Sequence, residues 1–243
     1  MDRSFWDRAA HAEFQMLNGF DSYIMQFMSR YSQRSLIANK FIVQFLDLTS
    51  IKLLPFIVGL WVLWFSKIPK FRPAVVEAFF GMFAAIAFSK VIQFFLPERL
   101  RPLHSGNPDF VLPLGVDPHA LEHWSSFPSD HAAIFFAAST TIWRVSRPLG
   151  SACYLWSIFV VCIPRIYLGY HYASDILAGA ALGVFTALVI ARPLQVTLMP
   201  WIAAVEKRYP PVFYATFFIV SYELMSAFIE ARLVGTAIKN LLL

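Results

Sequence analysis

The sequence predicts an all-α membrane protein, a polytopic helical bundle of five or six spans with an N-terminal interfacial amphipathic helix. Three observations carry that expectation. Hydrophobic residues make up 58% of the 243 and charged residues only 14%, against about 45–50% and about 25% in a soluble globular domain. Phenylalanine alone contributes 25 residues. Apolar stretches close to the roughly 20 residues of a spanning helix recur along the chain. This balance excludes a disordered chain, a collagen-like chain and a disulfide scaffold, and it argues against a soluble enzyme.

The elements follow in order. Residues 1–45 form the N-terminal segment. MDRSFWDRAAHAEF has no continuous apolar core before a small-residue cleavage site, so no removable signal peptide is read there. Phe20 to Tyr31 mixes large apolar residues with Asp21, Gln26 and Arg30, the pattern of a helix lying in the membrane interface. The first expected span runs from Leu46 to Ser66, interrupted by Asp47 and Lys52, and the second from Ala74 to Leu96, with Glu77 and Lys90 inside it. Pro128 to Trp143 is a short third span with a polar start. Pro148 to Pro164 and Ile176 to Ala191 carry no charge at all. Pro193 to Val205, broken by Pro200, reads as a separate interfacial or tilted helix, and Pro211 to Ile229 closes the bundle with one acid, Glu223. No internal repeat or low-complexity tract divides the chain, so 1–243 reads as one domain with its catalytic core in 75–190.

The net charge of +5 comes from basic residues scattered between apolar runs. No basic stripe tracks a phosphate backbone, and nucleic acid is not an expected partner. Cys153 and Cys162 share one apolar segment. On a helix they stand roughly 13 Å apart at about 1.5 Å per residue, too far for a disulfide.

The long polar loop from Pro97 to Phe127 is where chemistry is expected, because structureless loops beyond about 12–15 residues are uncommon unless they serve a function. Ionisable residues collect at the ends of the neighbouring apolar segments, where charge is costly and marks function. Lys90 is followed by Arg99 and Arg101. Ser129, Asp130 and His131 open the third span. Arg165, His171 and Asp175 lie between the fourth and fifth. Counting spans puts all three groups on one membrane face. Converging cations, two histidines and a carboxylate make a site for an anion.

The residue types suit phosphate. Arginine's planar fork binds two phosphate oxygens at once, and the helix opening at Pro128 and Ser129 offers free backbone N–H groups to an anion. A histidine can attack phosphorus when a neighbour fixes its tautomer. Asp175 follows His171 by four positions, so if both lie on one helical turn their side chains share a face. His131 would then transfer protons to the leaving oxygen and from water. No motif here requires a metal. His104, His119 and His123 have a spacing that matches no metal site, and no cofactor is expected.

At these residues the chain resembles the type 2 phosphatidic acid phosphatase superfamily of integral-membrane lipid phosphatases, related to vanadium haloperoxidases. That family carries Lys-x6-Arg-Pro, Pro-Ser-Gly-His and Ser-Arg-x5-His-x3-Asp. The third block reads PRIYLGYHYASD here, with Arg165, His171 and Asp175 at the family spacing, and the second reads PSDH. The first is looser, since Arg101-Pro102 lies eleven positions after Lys90 rather than seven. Arg99 is an alternative occupant. The resemblance implies His171 as nucleophile, Asp175 as its orienter and His131 as acid, with Lys90, Arg101 (or Arg99), Arg165 and Ser129 holding phosphoryl oxygens. Asp130 replaces the family glycine and Pro164 the family serine. A carboxylate beside an anion site is tolerable if it points away or pairs with a cation.

Lys67, Lys70, Arg72, Arg144, Arg147, Arg192, Lys207 and Arg208 fall on the face opposite the site. The site's face holds Arg99, Arg101, Arg165, Arg232 and Lys239. The positive-inside rule then turns the site outward, to the periplasm or exterior. Against this stand Arg3, Arg8, Arg30, Arg34 and Lys40, which a single first span would place on the site's face. The resemblance implies phosphatidic acid, phosphatidylglycerol phosphate, lipid A or polyprenyl diphosphate as substrate, and among these a polyprenyl (undecaprenyl-type) diphosphate or a related lipid phosphate, in a bacterial inner membrane, is the expectation. Membrane lipids are the surrounding partners, and the sequence leaves oligomeric state open. A lipid phosphotransferase on the same scaffold, a non-catalytic lipid binder or scramblase, and a vanadate-dependent oxidase are the rival readings.

Overall fold

A computed structural model describes residues 18–225 other than Gln33, Asp47, Asp109 and His123. The chain before residue 18, the end of the last expected span and the basic residues Arg3, Arg8, Arg232 and Lys239 lie outside the described residues. Every regular element among the described residues is helical. The helices are α1 (Gly19–Ser32), α2 (Leu36–Phe41, continued by a π-turn Ile42–Leu46), α3 (Thr49–Phe65), α4 (Phe71–Phe95), α5 (Asp130–Val145), α6 (Arg147–Tyr167), α7 (Ala173–Arg208) and α8 (Pro210–Met225). Of these, α4, α6 and α7 are long and apolar enough to cross a membrane.

Local signals explain the boundaries. Ser129 caps α5, its hydroxyl oxygen accepting from Ala132 N, and Asp130 and Arg144 sit in the first and last turns, where they complement the helix dipole. Pro148 occupies the first turn of α6, where its missing N–H costs nothing. The stretch 193–205 is not a separate helix. It continues the fifth span as one 36-residue helix, α7, through a π-turn at Thr186–Ala191. Pro193 follows directly on that turn, where the hydrogen-bond register is already changing, so its missing donor does not end the helix.

The core gathers Leu53, Leu60 and Trp64 of α3, Val75 and Met82 of α4, Ile134 and Phe135 of α5, and Leu224 of α8. Among helices in lipid such contacts act through close packing, because the surrounding acyl chains are as apolar as the side chains. The tightest packing positions the site. Gly179 and Gly183, one turn apart on α7, face the start of α5. A Cβ at Gly179 would stand 2.2 Å from the Ser129 carbonyl oxygen, and one at Gly183 2.3 Å from that of Ala133. This small-residue seam brings the first turns of α5 and α7 together, and Ser129 N donates to Asp175 O at 3.1 Å.

Helix α1 inverts the amphipathic pattern of a water-soluble helix. Its buried side carries Asp21 and Met25, while Phe20, Tyr23, Phe27 and Tyr31 are exposed in one stripe.

Candidate active site

The site forms where the loop 96–129 crosses the first turns of α5 and α7 and the end of α6. Gly169 (φ +73°) takes the left-handed conformation that turns the chain after α6. The amides of Tyr170 and His171 then donate back to the Arg165 carbonyl at 2.9 and 3.3 Å. Arg165 and His171 are thereby fixed to one another through backbone.

His171 is 1% exposed, and its tautomer follows from its neighbours. Nδ1 lies 2.8 Å from the carbonyl oxygen of Ser126, an acceptor only. Nε2 faces an Arg101 guanidinium nitrogen, a donor only, at 3.4 Å. The proton therefore sits on Nδ1 and the lone pair on Nε2. Burial pulls the His171 pKa down to about 4, with the Arg101 and Arg165 charges acting the same way and Asp175 opposing them. The ring is neutral at pH 7. Asp175 Oδ2 stands 3.7 Å from Nδ1, so the nearest orienting group is the Ser126 carbonyl rather than the expected carboxylate.

Arg101 is held by three backbone carbonyls: Trp124 at 3.1 Å, Ser125 at 3.2 Å and Tyr170 at 2.5 Å. Burial, then the neighbouring Arg165 charge, lowers its pKa to about 10, so it remains cationic at neutral pH. Arg99, the alternative in the sequence, points elsewhere. Its guanidinium donates to Asp175 Oδ1, to Ser174 Oγ at 2.9 Å and to Asp21 Oδ2 at 3.0 Å, and it lies over the Tyr172 ring.

Arg165 reaches the second histidine, with NH2 3.0 Å from His131 Nδ1 and 3.3 Å from Nε2. Both histidines, far apart in sequence, are thus tied to Arg165, His131 through its ring and His171 through its backbone amide. Asp130, at the position of the family glycine, is paired twice. Oδ1 accepts from His131 N at 2.9 Å and lies 3.0 Å from His131 Nδ1, while Oδ2 lies 3.3 Å from Lys90 Nζ. Lys90 also donates to Gln93 Oε1 at 2.8 Å. Ser129 Oγ accepts in its cap, which leaves its hydroxyl proton to donate. Among the described residues, Arg165 Nε and Ser126 Oγ are buried with no hydrogen-bond partner. Buried donors left unpartnered among these cations suit an anion rich in acceptor oxygens.

Two polar cavities open beside Trp124, which lines both. One of about 360 Å³ includes Arg101 and His104, and the other, of about 280 Å³, includes Lys90 and Gln93. His104 Nε2 lies 3.0 Å from Ala120 O, and His119 Nδ1 lies 3.3 Å from Glu122. His123 is outside the described residues. No group of three His, Cys, Asp or Glu side chains placed to hold a metal ion occurs among the described residues. Residue-type reasoning missed Ser126, which acts through a carbonyl any residue would supply, and Asp21, whose only sequence signal was an acid in an amphipathic helix.

The PAP2 superfamily model matches residues 74–197, just over half of the chain. The chain is 36% identical over 137 residues to the Bacitracin transport permease protein BcrC of Bacillus licheniformis, covering 55% of this chain and 62% of that protein. It is 31% identical over 121 residues to a Lipid A 1-phosphatase of Rhizobium etli, covering 46% and 50%. The match therefore spans about half to three fifths of the length of these relatives. The crystal structure of Aquifex aeolicus LpxE aligns with a TM-score of 0.48 at 20% identity, covering 69% of this chain and 92% of that one. The chain belongs to the PAP2 superfamily, and with three spanning-length helices among its described residues it is an integral membrane protein.

Proposed function

We propose that this member of the PAP2 superfamily is a metal-independent lipid phosphatase that acts through a phosphohistidine at His171, with a polyprenyl diphosphate as its preferred class of substrate. The observation that carries the reading is the His171 ring itself, neutral, with its proton on Nδ1 and its lone pair on Nε2 directed at the cationic wall of the site.

The reaction follows from the geometry. Arg101, Arg165, Lys90 and the Ser129 hydroxyl hold the phosphoryl oxygens and neutralise their charge, the main task of catalysis in phosphoryl transfer. His171 Nε2 attacks phosphorus in line, the P–O bond to the leaving group breaks, and a proton that His131 takes up with the substrate, whose bound phosphate charge offsets Arg165, goes to the departing oxygen. His131, now neutral, accepts a proton from water as water's oxygen attacks the phosphohistidine. The P–N bond breaks, inorganic phosphate leaves, and both rings return to their starting states. The Ser126 carbonyl fixes the attacking tautomer, and Asp175 offsets the positive charge that His171 gains on phosphorylation. Asp130 serves His131 in the same sense.

The bundle sits in a bacterial inner membrane as five or six spans, with the core in 75–190 of a single domain. The exposed aromatic stripe of α1 rests in the outer interface. Contacts of Lys70 with Val145 O and of Arg72 with Glu206 gather the basic turns at the end opposite the site, which supports a site facing the periplasm. An amphiphile whose phosphates reach water while its tail stays in lipid suits that placement, and the paired cavities beside Trp124 offer room for a second phosphate.

The test is a phosphate-release screen in detergent with EDTA present, across undecaprenyl diphosphate, undecaprenyl phosphate, phosphatidic acid, phosphatidylglycerol phosphate and lipid A. The expected result is fastest release from the diphosphate, unaffected by EDTA. Preference for a monophosphate would overturn the substrate assignment, and loss of turnover restored by magnesium would overturn metal independence.

A further inference from the structure

Asp21 lies outside the stretch that the family model matches, on a helix that precedes the catalytic core, yet it is 1% exposed. A buried carboxylate must be paired and hydrogen-bonded to offset its lost hydration. Its partners all lead to the site. Oδ1 accepts from Ser174 N at 2.8 Å, in the first turn of α7. Oδ2 accepts from Ser174 Oγ at 2.5 Å and from Arg99 at 3.0 Å. Arg99 in turn donates to Asp175 Oδ1, while Asp175 Oδ2 accepts from Tyr172 N at 2.8 Å and faces His171 Nδ1.

Asp21, Arg99 and Asp175 thus form one buried line of alternating charge that runs from α1 to the neutral nucleophile, His171. Arg99 is anchored from both sides. Its guanidinium plane rests 4.4 Å from the centre of the Tyr172 ring, and the Arg99 backbone is pinned by Ser126 N to its carbonyl oxygen at 2.9 Å and by its own N–H to Ser125 Oγ at 3.2 Å.

We propose that Asp21 and Arg99 are positioning residues for catalysis, so that the N-terminal helix is a working part of the active site. Asp21 balances the Arg99 charge and sets its orientation. Arg99 then holds one oxygen of Asp175 and leaves the other facing the nucleophile. Without Asp21, the Arg99 cation is compensated by Asp175 alone, and Asp175 has less charge to offer the imidazolium-like phosphohistidine. This assignment rests on the phosphohistidine reading above. It gives Arg99, which the sequence offered as an alternative phosphate ligand, a positioning role instead.

The experiment compares parent, D21N, D21E, R99K, R101K, D175N and the D21N/D175N double variant, as full-length protein in detergent, with undecaprenyl diphosphate as substrate and orthovanadate as inhibitor. H171A serves as the control. The expected result is that D21N lowers kcat about tenfold or more with KM within twofold, and that D21E recovers part of the loss. In the D175N background D21N should change kcat by less than twofold, because the carboxylate it serves has lost its charge. The vanadate inhibition constant should move less than threefold in D21N and R99K and more than tenfold in R101K. Equal losses from D21N in both backgrounds would reduce Asp21 to a structural role and overturn the proposal, as would parental kcat in D21N. A tenfold weaker vanadate inhibition in R99K would return Arg99 to the phosphate site. Parental turnover by H171A would instead overturn the phosphohistidine reading, whatever the Asp21 variants do.

Discussion

The Nδ1–H of His171 is donated to the carbonyl oxygen of Ser126 at 2.8 Å, a peptide oxygen set three residues before the capping serine of α5. The nucleophile's tautomer is therefore held by backbone, and the nearby Asp175 carboxylate has a separate electrostatic task. Where a carboxylate fixes the tautomer of a catalytic histidine alone, replacing it with an amide costs about 10⁴-fold in kcat. Here D175N keeps the correct tautomer and should cost about 10²-fold, whereas H171A should abolish turnover. Steady-state kinetics of the two variants check this.

The acid limb of the pH profile should report the same ring. His171 is lowered to about 4, first by burial and then by Arg101 and Arg165. Attack requires the neutral form, so the His171 contribution to kcat/KM is complete at neutral pH and is lost as pH falls through about 4. R101Q removes one of the cations that hold the pKa down, so its limb should move to higher pH. D175N removes a charge that holds it up, so its limb should move to lower pH. A bound phosphate anion favours the protonated ring, which puts the limb of kcat above that of kcat/KM. Profiles of both parameters in the three proteins decide it.

Asp130 should matter most when the leaving group needs a proton. Its Oδ1 lies 3.0 Å from His131 Nδ1 and its Oδ2 pairs with Lys90. D130N and H131A should slow an alkyl lipid phosphate by about 10²-fold or more, the size of a general-acid contribution. Both should slow the first-turnover release of p-nitrophenol far less, because that leaving group departs without protonation, whereas hydrolysis of the common phosphohistidine slows alike for both substrates. Rate ratios for the two substrates in each variant give the answer.

The α5–α7 seam should tolerate no added methyl. At Gly179 a Cβ meets the Ser129 carbonyl oxygen, a backbone atom that cannot swing aside. G179A should destabilise the protein by about 1–3 kcal/mol, as overpacking does, and should also lower turnover by shifting Ser129 and His131 away from Asp175. Thermal unfolding in detergent and phosphate release measure the two effects.

The residues whose chemistry is written in their side chains and spacing were legible before the fold was known. Lys90, Arg101, His131, Arg165, His171 and Asp175 come together from three sequence blocks, and the carboxylate at the family glycine position takes the cation pairing that its presence required. What sequence reasoning missed is of another kind. Ser126 acts through its carbonyl oxygen, which carries no residue-type signal. Arg99 and Arg101 differ by two positions and are chemically identical. Only the placement of Asp21, far off in sequence, separates their roles. The Gly179–Gly183 pair, a small-residue spacing typical of packed membrane helices, was not read from the sequence, and it marks the seam that builds the site. The continuity of α7 was hidden because prolines read as breaks, whereas a π-turn before Pro193 carries the helix past it.

The most direct measurement is to trap the covalent intermediate. Full-length protein is mixed with undecaprenyl diphosphate carrying a labelled terminal phosphate, quenched in alkali, where phosphohistidine survives, and digested for mass spectrometry. Phosphate is expected on the peptide bearing His171, absent in H171A and accumulating in H131A, whose second step lacks its base. Turnover with no label on His171 in either parent or H131A, or label on another side chain, would contradict the phosphohistidine reading.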